Sequence, residues 1–527
     1  MARQSLRLAA LVAALPQDPK TQIPDEKSKQ PLNTINPIAE ATAKRPRTMD
    51  TNTPDRSHKK QLRVPKTDPP VTATAKRTRT TIPDRTKPRK HTRTEPPLNK
   101  APSTRLKVFV FGSGANGELG LGASKFNKRS PEHASRPRLN HLLASDERGI
   151  VQLAVGGMHC AALAADGSVL TWGVNDSKAL GRDTAWTEPD ELDDDMSDLN
   201  PLESTPTSVE NLEDIGEVVQ VVATDNATFV LTATGHVYGW GTFLGDDGAF
   251  GFLKDSIKNQ EKPTRDEKFT LTPVRIPELN NIKELAAGAN HVVALTHTGN
   301  VYSWGSGHQA ELGRRVVSRR RFEALNPRLV TLPQNQIAKI FAGCHHSFAI
   351  DGKGRVFSWG LNNFGQTGHS SYSVHITTPA IVEKLEGIRI HHIACGLHHT
   401  VALTDSGEVL AWGRCDDAQI GVHIDSIPKE NIRFDNRGWP RIVTVPTKVP
   451  DIDAVFVAAG IDCTFAITKD GNALSWGFSA NYRTGLGTED SVQVPTILKS
   501  QQLAGAHISF AGCGGQFSAI GGPEEGN

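Results

Sequence analysis

The first 105 of the 527 residues contain no glycine, phenylalanine, tryptophan or tyrosine, and fifteen of the 32 prolines fall there. Such a segment cannot bury enough apolar surface to offset the entropy of ordering it, and it reads as a disordered arm. The chain also lacks any run of 18 apolar residues, which excludes a membrane-spanning helix. A short apolar run at residues 8–15 follows Arg3 and Arg7. It has no convincing cleavage site and no disulfide framework behind it, so a secretory or organellar signal is not the expected reading. The six cysteines form no Cys-x-x-Cys pair, which fits a reducing compartment.

Several catalytic signatures are missing as well. There is no Gly-x-x-x-x-Gly-Lys-Ser/Thr loop, so the chain is not expected to be a P-loop GTPase itself. There is no His-Glu-x-x-His and no Gly-x-Ser-x-Gly, and nothing marks covalent catalysis. Gly112 to Gly117 does spell Gly-x-Gly-x-x-Gly, but Glu118-Leu119-Gly120-Leu121-Gly122 follows. That is a poor helix start, and a dinucleotide site needs a helix there. Cys344, His345, His346, His391, His392, Cys395 and His399 resemble metal ligands but lack paired-cysteine spacing, so no metal and no cofactor is expected.

The net charge of +2 hides a division. Residues 1–105 carry 23 Lys and Arg against 9 Asp and Glu, a balance of +14, while the rest of the chain is at −12. A basic arm on an acidic globule points to an anionic partner or an import receptor. Its clusters are Lys44, Arg45 and Arg47; Lys76, Arg77 and Arg79; and Lys87, Arg89 and Lys90. Such runs suit nuclear import or contact with DNA phosphate. With no aromatics and no fold, the arm is not expected to read a DNA sequence.

What is present is a repeat. A strand-like run ends in aromatic-Gly seven times, at Phe111-Gly112, Trp172-Gly173, Trp240-Gly241, Trp304-Gly305, Trp359-Gly360, Trp412-Gly413 and Trp476-Gly477. Leu-Gly or its equivalent follows at Leu119-Gly120, Leu180-Gly181, Leu312-Gly313 and Ile420-Gly421. Between these lie apolar runs broken by small-Gly-x-x-His and closed by turns such as Asp166-Gly167 and Asp470-Gly471, which is a hairpin signal. Each unit offers about four short strands and no long helical period. One such sheet cannot bury both faces, but seven packed radially can, so the fold is expected to be all-β: a seven-bladed β-propeller over residues 106–522, after the arm and before a short tail at 523–527. One sheet is expected to combine strands from both ends of that region. A closed ring needs no partner to complete its core, so a monomer is expected. Insertions at 186–212 (acidic), 254–270, 314–325 and 423–446 are expected to be loops on the propeller faces.

The repeated aromatic-Gly, Leu-Gly and small-Gly-x-x-His resemble the regulator-of-chromosome-condensation family. Gly156-Gly157-Met158-His159, residues 175–183, Gly241-Thr242-Phe243 followed by Asp246-Asp247-Gly248, and Leu312-Gly313-Arg314 look like its founding subgroup. That resemblance implies a nuclear, chromatin-associated guanine-nucleotide exchange factor for the small GTPase Ran. It implies a GTPase-binding face that takes in His159, Asp225, Asn226, Asn290, His398 and His399. It implies a wedge loop with Phe243, Leu244, Gly245, Asp246, Asp247, Gly248 and Phe250. The charge and position of Arg315, Arg319, Arg320 and Arg321 resemble a loop that meets the nucleosome, and the basic arm matches the subgroup's import and chromatin segment. Asn290 and Ala115 stand where relatives often carry an acidic residue, and Leu244-Gly245 departs from the usual polar residues. The other reading is a propeller scaffold that binds some other protein without promoting exchange. A light-sensing role is not expected, because six of the eight tryptophans are locked to the repeat and only Trp186 and Trp439 lie in loops.

Overall fold

The computed structural model of the chain describes residues 96–144, 148–187, 196–332, 337–369 and 373–524. The arm's basic clusters lie outside the described residues, as does the acidic run at 188–195.

The described chain is a seven-bladed β-propeller. Blade 1 orders its strands His133–Leu139, Leu106–Ser113, Phe517–Pro523 and Phe510–Cys513 from rim to axis. It joins the two ends of the repeat region, as expected. The innermost strands of blades 2 to 7 are Ile150–Val155, Val218–Ala223, Ile282–Ala287, Ile337–Ala342, Ile390–Cys395 and Ala454–Ala459. Each touches its neighbour around the circle, and Phe510–Cys513 closes onto Ile150–Val155. These strands line an axial channel of about 660 Å³.

The second strand of every blade is buried on both faces, as in His159–Ala164 and His291–Thr296, because it is covered by a blade on each side. This is why the sequence shows continuous apolar runs there rather than alternation. The six repeat tryptophans are essentially unexposed. The indole N–H groups of five of them donate to backbone carbonyls of the preceding blade: Trp172 to Glu118 at 3.0 Å, Trp240 to Ala179 at 2.7 Å, Trp359 to Glu311 at 2.7 Å, Trp412 to Gln366 at 3.0 Å and Trp476 to Gln419 at 3.0 Å. Each carbonyl belongs to the residue just before a Leu-Gly-type pair. A Cβ on Gly120 would lie 2.5 Å from the Trp172 indole nitrogen, and one on Gly421 equally close to that of Trp476. The glycine of the pair is there to let the next blade's ring in.

The repeat histidines complete the joint. His159 Nε2 lies 2.8 Å from Thr228 Oγ1, His291 2.8 Å from Ser347, His346 2.8 Å from Thr400 and His399 2.9 Å from Thr464. Their partners are side-chain hydroxyls of the next blade. Thr228, Thr400 and Thr464 spend their one hydrogen on the carbonyls of Ala179, Gln366 and Gln419, so each accepts from a neutral His Nε2–H. The unprotonated Nδ1 atoms of these histidines are buried and have no donor among the described residues.

Two features depart from expectation. Residues 96–105 are not all part of an unstructured arm. Leu98 N donates to Ala233 O at 2.7 Å, and Asn99 Nδ2 to Ile282 O at 2.8 Å, so the chain is seated on blades 3 and 4 before residue 105. The 423–446 insertion is not all loop. Ile432–Phe434 pairs with Pro440–Val449 as a fifth strand of blade 6, held by Asp435, whose carboxylate accepts from Arg437 N and Trp439 N.

Burial lowers the pKa of His159 and His291 to about 4 and that of His399 to about 3, against about 6.5 in the unfolded chain. Between these values the unfolded chain binds more protons than the native one, so native stability falls as pH drops from about 6.5 towards 4. Denaturant unfolding at pH 7.5 and pH 5 should show a larger stability loss for the native sequence than for His399→Asn, which removes one such proton site.

Candidate functional site

The second strand of a blade begins beside the point where the third ends, as His159 pairing with Gly173 illustrates. Two kinds of connection therefore emerge at the same end of the propeller. One is the tight return turn after each innermost strand, and the other is the long link from the third strand to the outer one. The insertions, the 243–251 segment, the arginines at 315–321 and the polar return-turn residues all lie on this one face.

The return turns form a ring around the channel mouth through backbone bonds between blades. Asp225 N donates to Ala289 O at 2.9 Å, Ala289 N to Cys344 O at 3.2 Å, Cys344 N to Gly396 O at 3.3 Å, Leu397 N to Ile461 O at 3.1 Å and Gly515 N to Gly157 O at 2.8 Å. The small-Gly of the motif serves this contact: a Cβ on Gly288 would sit 2.2 Å from Gly343 O. Gly157 likewise leaves room for the Asp225 carboxylate, which a Cβ would approach to 2.5 Å. Burial at this mouth raises the Asp225 carboxyl to about 6, against the opposing pull of His345.

The expected face residues divide into three groups. His159 and His399 are fully buried in the interblade joints, which corrects their placement on a binding face: a partner cannot reach them. Asn226 and Asn290 are half-buried and engaged. Ser177 Oγ donates to Asn226 Oδ1 at 2.8 Å, and Leu244 N donates to Asn290 Oδ1 at 2.7 Å. Asn290 thus holds the 243–251 segment, a role that needs an acceptor and not a charge. Asp225 and His398 remain partly exposed. His398 packs 4.6 Å from the Phe364 ring, and burial beside Arg414 drives its pKa down to about 3.

Other residues of this face escaped the sequence reading. His345 Nδ1 lies 3.3 Å from the buried Glu311 carboxylate. Arg414 binds Asp417 at 3.0 Å and Asp462 at 3.5 Å, while Arg441 binds Asp416 at 2.6 Å. Both guanidinium groups stand 5.7 Å from the Phe364 ring, within cation–π range. His345 and Asp462 occupy the same turn position as Asn226, Asn290 and His398. That shared register was the available signal.

The 243–251 segment is a β-hairpin, Phe243–Gly245 paired with Gly248–Gly251. Asp246, Asp247 and Gly248 form an exposed tip, and Gly248 takes the left-handed conformation at φ +92°, which suits a hairpin whose turn is followed by a glycine. Phe243 and Phe250 do not belong to the tip. They are buried anchors. Phe250 stacks on Phe322 with centroids 5.2 Å apart and meets His308 edge-on at 5.6 Å. Phe322 comes from the 3₁₀ segment Ser318–Leu325, inside the arginine-rich insertion. That insertion is therefore the seat of the hairpin: Arg321 Nη1 reaches to 3.8 Å from Asp247, and Lys254 pairs with Glu323 at 2.5 Å. Arg315, Arg319 and Arg320 are exposed beside it.

Residues 107–520 match the family model described as the RCC1-like domain. Protein pim1 of Schizosaccharomyces pombe is 42% identical over 431 residues, 81% of this chain and 76% of that protein. Guanine nucleotide exchange factor SRM1 of Saccharomyces cerevisiae is 39% identical over 437 residues, 79% and 87% respectively. Prp20p of Saccharomyces cerevisiae, whose crystal structure was described with its binding to Gsp1p and histones, superposes with a TM-score of 0.71 at 37% identity, over 82% of this chain and 94% of that one. The same yeast protein, bound to Kap60, gives 0.72 at 35% identity over 85% and 97%.

The hairpin's seat makes a prediction. Asn290→Ala removes the acceptor for Leu244 N, a contact worth about 1 kcal/mol. Hydrogen exchange at the Leu244 amide should speed up several-fold while protection of the second strands of the blades stays unchanged.

Proposed function

The chain belongs to the RCC1-like domain family, and from that footing we propose that it is a guanine-nucleotide exchange factor for a small GTPase of the Ran type. The observation that carries the reading is the hairpin at 243–251. Its charged tip projects from the face on which the return turns converge, and its base is fixed by Phe250, Phe322 and Asn290.

The task is thermodynamic. A nucleotide held near picomolar affinity is bound by roughly 16 kcal/mol. With association near ~10⁶ M⁻¹s⁻¹, it leaves unaided in about days. An exchange factor needs no covalent step. It must bind the nucleotide-free GTPase more tightly than the loaded one, and by linkage it then weakens nucleotide binding by the same factor. A rigid hairpin can do this by occupying space and hydrogen-bonding groups that the loaded GTPase needs for its phosphates. Asp246 and Asp247 bring negative charge to that tip, and the GTPase elements freed of phosphate are left with unpaired donors. Asp225, His345, His398 and the Arg414–Asp462 cluster would hold the partner on the same face. The acidic globule would steer a basic GTPase surface. Direction comes from the cell's excess of GTP.

Prp20p is described with histones and with Kap60. For this chain, the basic arm would provide the matching contacts: import-receptor binding through Lys44, Arg45, Arg47, Lys76, Arg77, Arg79, Lys87, Arg89 and Lys90, and contact with nucleosome or DNA phosphate on chromatin in the nucleus. The exposed Arg315, Arg319, Arg320 and Arg321 beside the hairpin would add a second, nucleosome-binding contact.

Release of fluorescent GDP from a Ran-type GTPase tests the reading, with a Ras-type GTPase as control. Catalytic amounts of the full chain should accelerate release from the first alone. Asp246→Ala combined with Asp247→Ala should slow exchange by about 5- to 150-fold, the usual span of a coupling energy. Unchanged exchange would remove the wedge role, and no acceleration by the native chain would leave a scaffold. Because Asp225 loses its charge below about 6, affinity for the GTPase should fall as pH drops through that value, and Asp225→Asn should flatten the dependence.

A further inference from the structure

A second cavity lies on the outer rim of blade 1, away from the channel mouth. It encloses about 480 Å³ between the loop before His133–Leu139, that outermost strand, and residues 500–502. The size falls in the range of small-ligand sites, about 300–1,000 Å³. Its cations are Lys128, Arg129, Arg136 and Arg138, with His133 beside them, and no Asp or Glu lines it. On a globule at −12, four cations around one hollow without a counter-charge call for an explanation.

Arg138 is the informative residue. It is only 6% exposed. Its Nη1 donates to Ser130 O at 2.6 Å, while its Nη2 is buried without an acceptor among the described residues. Other buried arginines have carboxylates at hand: Arg414 is bound by three aspartates, and Arg182 and Arg314, each of which also keeps one buried nitrogen without a partner among the described residues, have Glu203 and Glu323 to offset their burial. At Arg138, burial and the neighbouring Arg129 both push the pKa down, and no carboxylate offsets them. An unpaired buried guanidinium is costly, and an anion entering the cavity would relieve that cost. The cavity's polar frame is held in place: Leu139 N donates to Gln502 Oε1 at 2.8 Å, which leaves the Gln502 amide N–H₂ as a further donor, and Arg136 Nη1 donates to Lys499 O at 3.2 Å.

We propose that this cavity binds a phosphate monoester, with Arg138 at its floor and Arg129 and Arg136 at its rim. Planar guanidinium forks suit a phosphate's oxygens. The recessed floor favours a terminal, dianionic phosphate on a slender stem. A duplex backbone presents monoanionic diesters on a convex surface and cannot reach that depth. The phosphate could stand free or on a phosphorylated side chain, and the two share this chemistry.

Calorimetric titration of the full chain tests the proposal, with inorganic phosphate, a phosphothreonine peptide, its unphosphorylated form and an oligonucleotide lacking terminal phosphate, at constant ionic strength. Saturable binding of inorganic phosphate or of the phosphopeptide is expected, and the tighter of the two identifies the source. Arg129→Ala with Arg136→Ala, both exposed residues, should weaken it about tenfold or more without loss of fold. Arg138→Gln should abolish it. Binding that survives the rim pair unchanged would place the anion on the arm and overturn the proposal. So would a preference for the oligonucleotide, or absence of saturable phosphate binding by the native chain.

Discussion

A hydrogen bond passed from blade to blade underlies everything else in this propeller. At three joints one backbone carbonyl, of Ala179, Gln366 or Gln419, accepts both the indole N–H and the threonine hydroxyl of the following blade. The threonine in turn accepts from the preceding blade's histidine. Aromatic-Gly, Leu-Gly and small-Gly-x-x-His are thus three parts of one joint, which is why they recur together. The joint spends the polar capacity of His159, His291, His346 and His399 inside the ring, and the face above is left to the residues beside them.

The joint changes character where the hairpin stands. Between blades 3 and 4, Ala227 and Val292 occupy the register positions that at four other joints carry histidine and threonine or serine. The link leaving blade 3 has no Leu-Gly pair. Phe229, Phe243, Phe252 and Trp304 pack there instead, with Phe229 5.7 Å from Trp304 and 5.9 Å from Phe243. Aromatic burial of this kind supplies area and fixed geometry at once. Evolution of a projecting element is easier to understand at such a joint, because the hairpin's base takes over the packing that the lost polar contacts provided.

Much of this was legible in the sequence because repetition amplifies weak signals. Seven aromatic-Gly strands give the blade number, and the mismatch between the first and last units gives the closing sheet. Asp246-Asp247-Gly248 marks a turn before any coordinates. Individual roles were less accessible, because they depend on which neighbour a side chain meets. His159 and His398 look alike in their motifs, but one is sealed in a joint and the other stands at the mouth. Asn290 reads as a weakened acidic contact until its partner, Leu244 N, is seen 46 residues away. The arginines at 315–321 read as a solvent-facing charge cluster because Phe322, next in sequence, gives no sign that it will stack on Phe250.

Closing the ring with strands from both ends has a consequence for how the molecule comes into being. Leu106–Ser113 stays without its inner neighbour until Phe517–Pro523 has been synthesised, and the bonds linking Arg136 and Leu139 to residues 499 and 502 span 363 positions. Contacts of such separation are among the slowest to form. On the ribosome, the first blade begun is the last completed. The cationic hollow on its rim therefore exists only in a chain whose synthesis has passed the strand Phe517–Pro523, and its occupancy would report completion of the ring.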